Sequence, residues 1–331
     1  MNVLERYQTV VVVLAIGGGV LVGQLAWVPA VAERLILPFL LGMLFGTFVQ
    51  VPLTGLRNAV ANRRVVGSSL VMNFVWNPLF AIGLGYVFLR EYPALWVGLL
   101  MLMVTPCTDW YLIFTDIADG DVALATSLLP YNLLLQLVLL PVYLSLFAGE
   151  LVSLPLKTLL ESVALVLVVP LVLAATGRVT LPKLLGEASF RRTLVPALGQ
   201  AQILFLALAI AAMFASQGEV ILENPGVLAV LAVPVIAFYA INFALGLGIG
   251  RVAAFSYEET VCFNCTILSR NSPVALAIAV VAFPHEPLIA LALVIGPLLE
   301  LPLLSVVSHL FLNLRERGLW KSTTSHSGEF E

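Results

Sequence analysis

Long apolar runs, each closed by charges, proline or glycine, follow one another along most of the chain. A spanning helix needs about 20 mostly apolar residues. Ten segments meet that length: 8–28, 35–53, 66–89, 94–114, 122–147, 156–176, 193–216, 226–249, 259–283 and 286–313. Five precede the Leu151–Pro155 connection and five follow it. An odd number per half forces the halves into opposite orientations, the origin of inverted repeats. The pattern therefore predicts an all-α integral membrane protein of ten transmembrane helices in two inverted five-helix repeats, residues 1–150 and 151–318. The segment 319–331 is polar and small and is expected to be a disordered cytoplasmic tail. The first run follows Met-Asn-Val-Leu-Glu-Arg6 without a small-residue cleavage site, so it reads as a span and not as a removable signal peptide.

Two of the runs are broken in their middle by proline and polar residues. The fourth carries Pro106-Cys107-Thr108-Asp109, and the ninth carries Ser269-Arg270-Asn271-Ser272-Pro273. These are the fourth spans of their respective halves. Matching breaks in two halves point to a transporter's binding site, with broken helices 4 and 9 crossing near the midplane. A proline alone only kinks a helix; a charge at bilayer depth costs several kcal/mol and marks a functional position.

Composition and charge sharpen this picture. Of 331 residues 61% are hydrophobic and 11% charged, against about a quarter charged in soluble domains. The mean hydropathy is +1.06. The bilayer must be the solvent. With the amino terminus inside, the cytoplasmic side collects Arg6, Arg57, Arg63, Arg64, Arg178, Lys183, Arg191, Arg192, Arg251, Arg315, Arg317 and Lys321, and the other side keeps Arg34, Arg90 and Lys157. That positive-inside bias puts both termini in the cytoplasm of a multi-pass protein of the inner or plasma membrane. No basic patch or aromatic-basic interleaving suggests nucleic acid. A phosphate-binding loop and an HExxH motif are both absent, and His285, His309 and His326 are scattered. No enzyme, cofactor or metal is expected, and transport has to be secondary. Cys262 and Cys265 lack a second pair for zinc and sit in an apolar run, which makes them packing residues.

The candidate chemistry gathers at the breaks. Unwinding at Pro106 frees backbone groups for a solute; Cys107 adds a soft thiol suited to a metalloid, and Thr108 and Asp109 add a hydroxyl and a carboxylate. Across from them, Ser269, Asn271 and Ser272 offer neutral donors and acceptors, with Pro273 breaking the helix. Arg270 lies about 11 residues into its span, roughly 16 Å along a helix and too deep to snorkel. Arginine stays charged, so it is expected to pair with an anion: substrate, Asp109, or each in turn. Inverted symmetry suggests an Asp109–Arg270 salt bridge, either a gate or a fixed strut. Glu300, between Pro297 and Pro302, is a candidate for coupling or gating alongside Asp109 and Arg270. Asn73, Asn77, Asn132, Gln136, Gln200, Gln202 and Asn242 read as interhelical hydrogen-bonding groups.

Several stretches, in order along most of the chain, resemble the bacterial arsenite permeases of the bile acid:sodium symporter superfamily. They are Asn73-Phe-Val-Trp-Asn-Pro78, Pro106-Cys107-Thr108, Met213-Phe-Ala-Ser-Gln-Gly218, Ser256-Tyr-Glu-Glu-Thr260, the stretch 269–280, and Pro297-Leu-Leu-Glu-Leu-Pro302. The resemblance implies the same fold, ten helices in inverted five-helix repeats with the fourth and ninth broken. It also implies that Cys107 is the essential cysteine of the arsenite permeases. Their span-nine motif, Ser-Asn-Asn-Phe-Glu, becomes Ser269-Arg270-Asn271-Ser272-Pro273, so Arg270 replaces an asparagine and Pro273 the glutamate. Asn271-Ser272 fits the sodium-coupled bile acid branch, whose sodium-binding glutamate falls on Thr266.

The expected function is a secondary transporter of a small molecule or ion working by alternating access in the lipid bilayer. Arsenite or antimonite efflux is the leading substrate reading. A carrier of a small organic or inorganic anion using Arg270 is the alternative, and a non-transporting membrane sensor or scaffold is a third. Coupling to protons is expected in place of sodium, because two like charges about 5 Å apart interact unfavourably by about 3 kcal/mol at an effective dielectric near 20.

Overall fold

The computed structural model describes residues 8–50, 62–107, 110–148, 156–223, 225–318 and 320. Among these, every regular element is helical. The principal helices are α1 (Gln8–Gly23), α2 (Val28–Gln50), α3 (Arg63–Phe88), α4 (Pro93–Met103), α5 (Trp110–Ile117) and α6 (Val122–Tyr143). They continue with α7 (Lys157–Leu185), α8 (Val195–Glu223), α9 (Pro225–Val252), α10 (Tyr257–Leu268), α11 (Ser272–Ala282) and α12 (Pro287–Glu316). Seven helical stretches are long and apolar enough to cross a bilayer, and three shorter apolar helices accompany them. Leu14, Leu21, Val138, Val172 and Leu184 are more than half exposed, the surface of a protein solvated by lipid. The expected spans four and nine each consist of two helices, α4 with α5 and α10 with α11.

Prolines shape the long helices in a regular way. Four turns among the described residues are widened to π geometry, and three of them end two residues before a proline: Met72–Trp76 before Pro78, Ala164–Val168 before Pro170, and Phe190–Leu194 before Pro196. A proline has no N–H and its ring presses on the carbonyl four residues back. Widening the turn carries that carbonyl aside. At Pro78 the carbonyl in question belongs to Phe74, and it accepts a hydrogen bond from the Tyr143 hydroxyl.

The chain forms two compact units, and each draws on both halves of the sequence. One comprises Met1–Val51, Leu144–Val230 and Ser272–Ile295. Within it α8 runs along α1 and α2, and Gly19 and Gly23 of α1 let the backbones of Ala211 and Ala215 approach closely. A Cβ on Gly23 would lie 2.8 Å from Ala215 Cα, so only glycine permits this packing. The other unit comprises Pro52–Tyr143, Leu231–Asn271 and Gly296–Glu331. Trp320 belongs to the segment expected to be a free tail, yet its indole N–H donates to the Phe255 carbonyl at 3.2 Å and its ring lies under Arg251. The rest of that tail lies outside the described residues, as do Thr108, Asp109 and the Leu151–Pro155 connection.

Candidate functional site

In the second unit the breaks in spans four and nine meet. Thr105 precedes proline, which disfavours the helical region for it, and α4 stops at Met103. On the other side Ser256 and Glu259 form a capping box that starts α10, which ends at Leu268 with Ser269 extended. The two unwound segments then pair as a short antiparallel bridge between Pro106 and Arg270. Cys107 N–H donates to the Ser269 carbonyl at 3.0 Å, and Asn271 N–H donates to the Thr105 carbonyl at 2.6 Å. Each break thus supplies the hydrogen bonds the other lost.

A helix end leaves four carbonyls without an intrahelical partner, and here both ends can be accounted for completely. On α4, the Leu100 carbonyl accepts from Val104 N–H, those of Met101 and Leu102 from the Thr105 hydroxyl, and that of Met103 from Arg270 Nη1 at 2.8 Å. On α10, the Cys265 carbonyl accepts from Ser269 N–H, Thr266 from Arg270 Nη2 and Asn73 Nδ2, Ile267 from Arg270 Nη2 and Asn77 Nδ2, and Leu268 from Arg270 Nε. Asn73 Oδ1 also accepts from Arg270 Nη2 at 2.8 Å. The guanidinium, 1% exposed, therefore lies among four carbonyl oxygens and one carboxamide oxygen, with the Phe238 ring 5.5 Å away.

This changes what Arg270 requires. A charged partner was expected; among the described residues its side chain is held by uncharged oxygens. A helix C-terminus carries about half a negative charge, and two such ends converge on the one positive charge. The expected partner Asp109 lies outside the described residues. Glu300 is also at the crossover but holds the backbone: its Oε1 accepts from Arg270 N–H at 2.8 Å. Gly296, one turn earlier on α12, faces the Leu102 side chain with no room for a Cβ.

The remaining expected residues divide clearly. Cys107 is buried, with its Sγ accepting from Trp110 N–H at 3.3 Å. Ser269 Oγ is buried with no hydrogen-bond partner among the described residues. Ser272 and Pro273 fall in the other compact unit, where the Ser272 hydroxyl donates to the Leu293 carbonyl. Cys262 and Cys265 are buried within α10. Asn242 joins the polar cluster, donating to Asn77 and accepting from Trp76. Asn132 and Gln136, one turn apart on α6, are fully buried with no partner for either carboxamide among the described residues, so the interhelical bonds expected of them are not made there.

Asn73 is more than a packing amide. It sits in the π-turn before Pro78 and touches both Arg270 and the end of α10. Asn73→Leu removes a hydrogen bond from a charged donor, worth about 1.5–3 kcal/mol. A corresponding fall in thermal stability of the purified protein is expected, and an unchanged melting temperature would show that Asn73 carries no load.

Residues 37–224, more than half of the chain, match the profile of the sodium bile acid symporter family. The chain belongs to this family. It is a family of membrane transporters, so the protein is a multi-pass membrane transporter of a small molecule or ion and not an enzyme. Along 92% of its length it is 24% identical to the arsenical-resistance protein Acr3 of Corynebacterium glutamicum, 87% of which is covered. It is 26% identical to the Acr3 protein of Alkaliphilus metalliredigens, covering 91% of this chain and 90% of that one. An uncharacterized transporter of Synechocystis sp. is 28% identical, with 92% and 87% covered. The sequence resemblance to the superfamily is thereby upheld.

Proposed function

We propose that this protein is a secondary active transporter that exports arsenite or antimonite, driven by protons and not by sodium. One observation carries the substrate reading: Cys107 sits on the unwound segment of the crossover, its backbone tied to Ser269, whose hydroxyl has no partner among the described residues. A thiol binds trivalent arsenic by displacing a hydroxide as water, and a serine hydroxyl can hold one of the remaining oxygens. The two Acr3 relatives, named for arsenical resistance, support the same substrate.

The anion carrier reading rests on a free positive charge at Arg270, and its guanidinium is engaged by five oxygens among the described residues. That weighs against it. Among the described residues Glu300 is the carboxylate that meets the crossover, and it takes the proton-carrying role in this reading. Both termini on the cytoplasmic side, and an inverted relation between residues 1–150 and 151–318, complete the proposal.

Uptake into everted membrane vesicles tests it. Arsenite and antimonite should accumulate when the vesicle interior is acidic, and replacing sodium by choline at a constant pH gradient should leave the rate unchanged. Collapse in choline would overturn proton coupling. Uptake of small anions but not of metalloids would move the substrate to the alternative, and uptake of neither would favour a sensor.

A further inference from the structure

The oxygens around Arg270 have the chemistry of a cation site. Backbone carbonyls from the ends of two helices and one carboxamide oxygen converge there, and such hard neutral oxygens are what replace the water around an alkali ion. The four carbonyls of Met103, Thr266, Ile267 and Leu268 come from α4 and α10, and Asn73 Oδ1 comes from α3. A family named for sodium symport implies a sodium ion at some point of the transport cycle. These oxygens do not fit one while the guanidinium is among them. The side chain is 1% exposed, and the Phe238 ring closes over its carbon at 5.5 Å.

We propose that Arg270 is a resident cation: its guanidinium fills a monovalent-cation site at the crossover, and removing the side chain exposes a site that accepts sodium. Arginine keeps its proton at any physiological pH, so the site stays occupied through the whole cycle. The charge that a mobile ion would bring and take away is here part of the chain. Sodium is excluded from the crossover by occupancy, which is more stringent than repulsion at a distance. The proposal deepens the sodium-independent part of the function proposed above, and it does not depend on the substrate being arsenite.

The geometry favours a clean substitution. Arg270 contributes its backbone N–H to Glu300 and its backbone to the bridge with Pro106, and both survive truncation at Cβ. The test is ion binding to purified protein in detergent, with no transport step. Wild type and Arg270→Ala are compared for radioactive sodium binding and for thermal stability in sodium, potassium and choline chloride at equal ionic strength, with millimolar guanidinium as a fourth condition. Wild type should bind no sodium and melt at the same temperature in every salt. Arg270→Ala should melt several degrees lower in choline, bind sodium saturably, and recover stability with rising sodium or guanidinium, as a ligand of the native state must cause. Arg270→Lys retains a tethered charge and should remain insensitive to sodium.

Saturable sodium binding by wild type overturns the proposal without any variant, so it stays falsifiable even when Arg270→Ala folds poorly. A folded Arg270→Ala that responds to no cation overturns it too. Loss of arsenite transport in the vesicle assay, with these ion responses intact, sinks the substrate reading alone.

Discussion

Cys107→Ser is expected to return arsenite tolerance of expressing cells to that of cells without the protein, with unchanged amounts of protein in the membrane. Serine keeps the size, the bridge to Ser269 and an acceptor for Trp110 N–H, so folding has little reason to suffer. What disappears is the soft sulfur that binds trivalent arsenic. A loss of only about 1.4 kcal/mol in binding already lowers affinity tenfold, and the substitution should exceed that. Cys262→Ser and Cys265→Ser provide the internal control, because both thiols are buried inside α10, before the unwound segment. Equal tolerance in wild type and Cys107→Ser would remove the arsenite reading.

The second large effect is expected at Glu300, where two variants separate chemistry from support. In Glu300→Gln the side-chain oxygen still accepts from Arg270 N–H, so the crossover keeps its hydrogen bond, but the group no longer carries a proton. Transport driven by a pH gradient should fall at least about tenfold, equivalent to some 1.4 kcal/mol on the barrier, with the melting temperature little changed. Glu300→Leu leaves the Arg270 N–H buried without an acceptor and should cost about 1–3 kcal/mol of stability. Full pH-driven transport by Glu300→Gln would leave the residue a purely structural role.

Much of the architecture was legible because the bilayer imposes a simple grammar. Apolar runs of sufficient length, and the positions where Pro106 and Ser269–Pro273 interrupt them, mark helices and breaks. The partners of Arg270 were not legible, for a physical reason. Among the described residues four of its five acceptors are backbone carbonyls, which every residue possesses and no side-chain pattern records. Side chains alone therefore point to a carboxylate. Asn73 gives no stronger signal, since an asparagine in a span looks the same whether it braces two helices or holds an arginine 197 residues away. Three of the four π-turns left only their prolines as a signal, because a helix apolar on all sides has no polar face to report an extra residue.

That extra residue has a consequence for how the gene can change. Deleting one codon between Met72 and Trp76 would restore ordinary α-helical winding with the helix on either side still in phase, because a π-turn absorbs its extra residue. It would also return a carbonyl to the ring of Pro78, and it would bring Asn73 and Asn77, which both reach the end of α10 across that turn, three residues apart in place of four. The codon and the proline are thus tied together: the gene can lose the first without strain only if it has also lost the second.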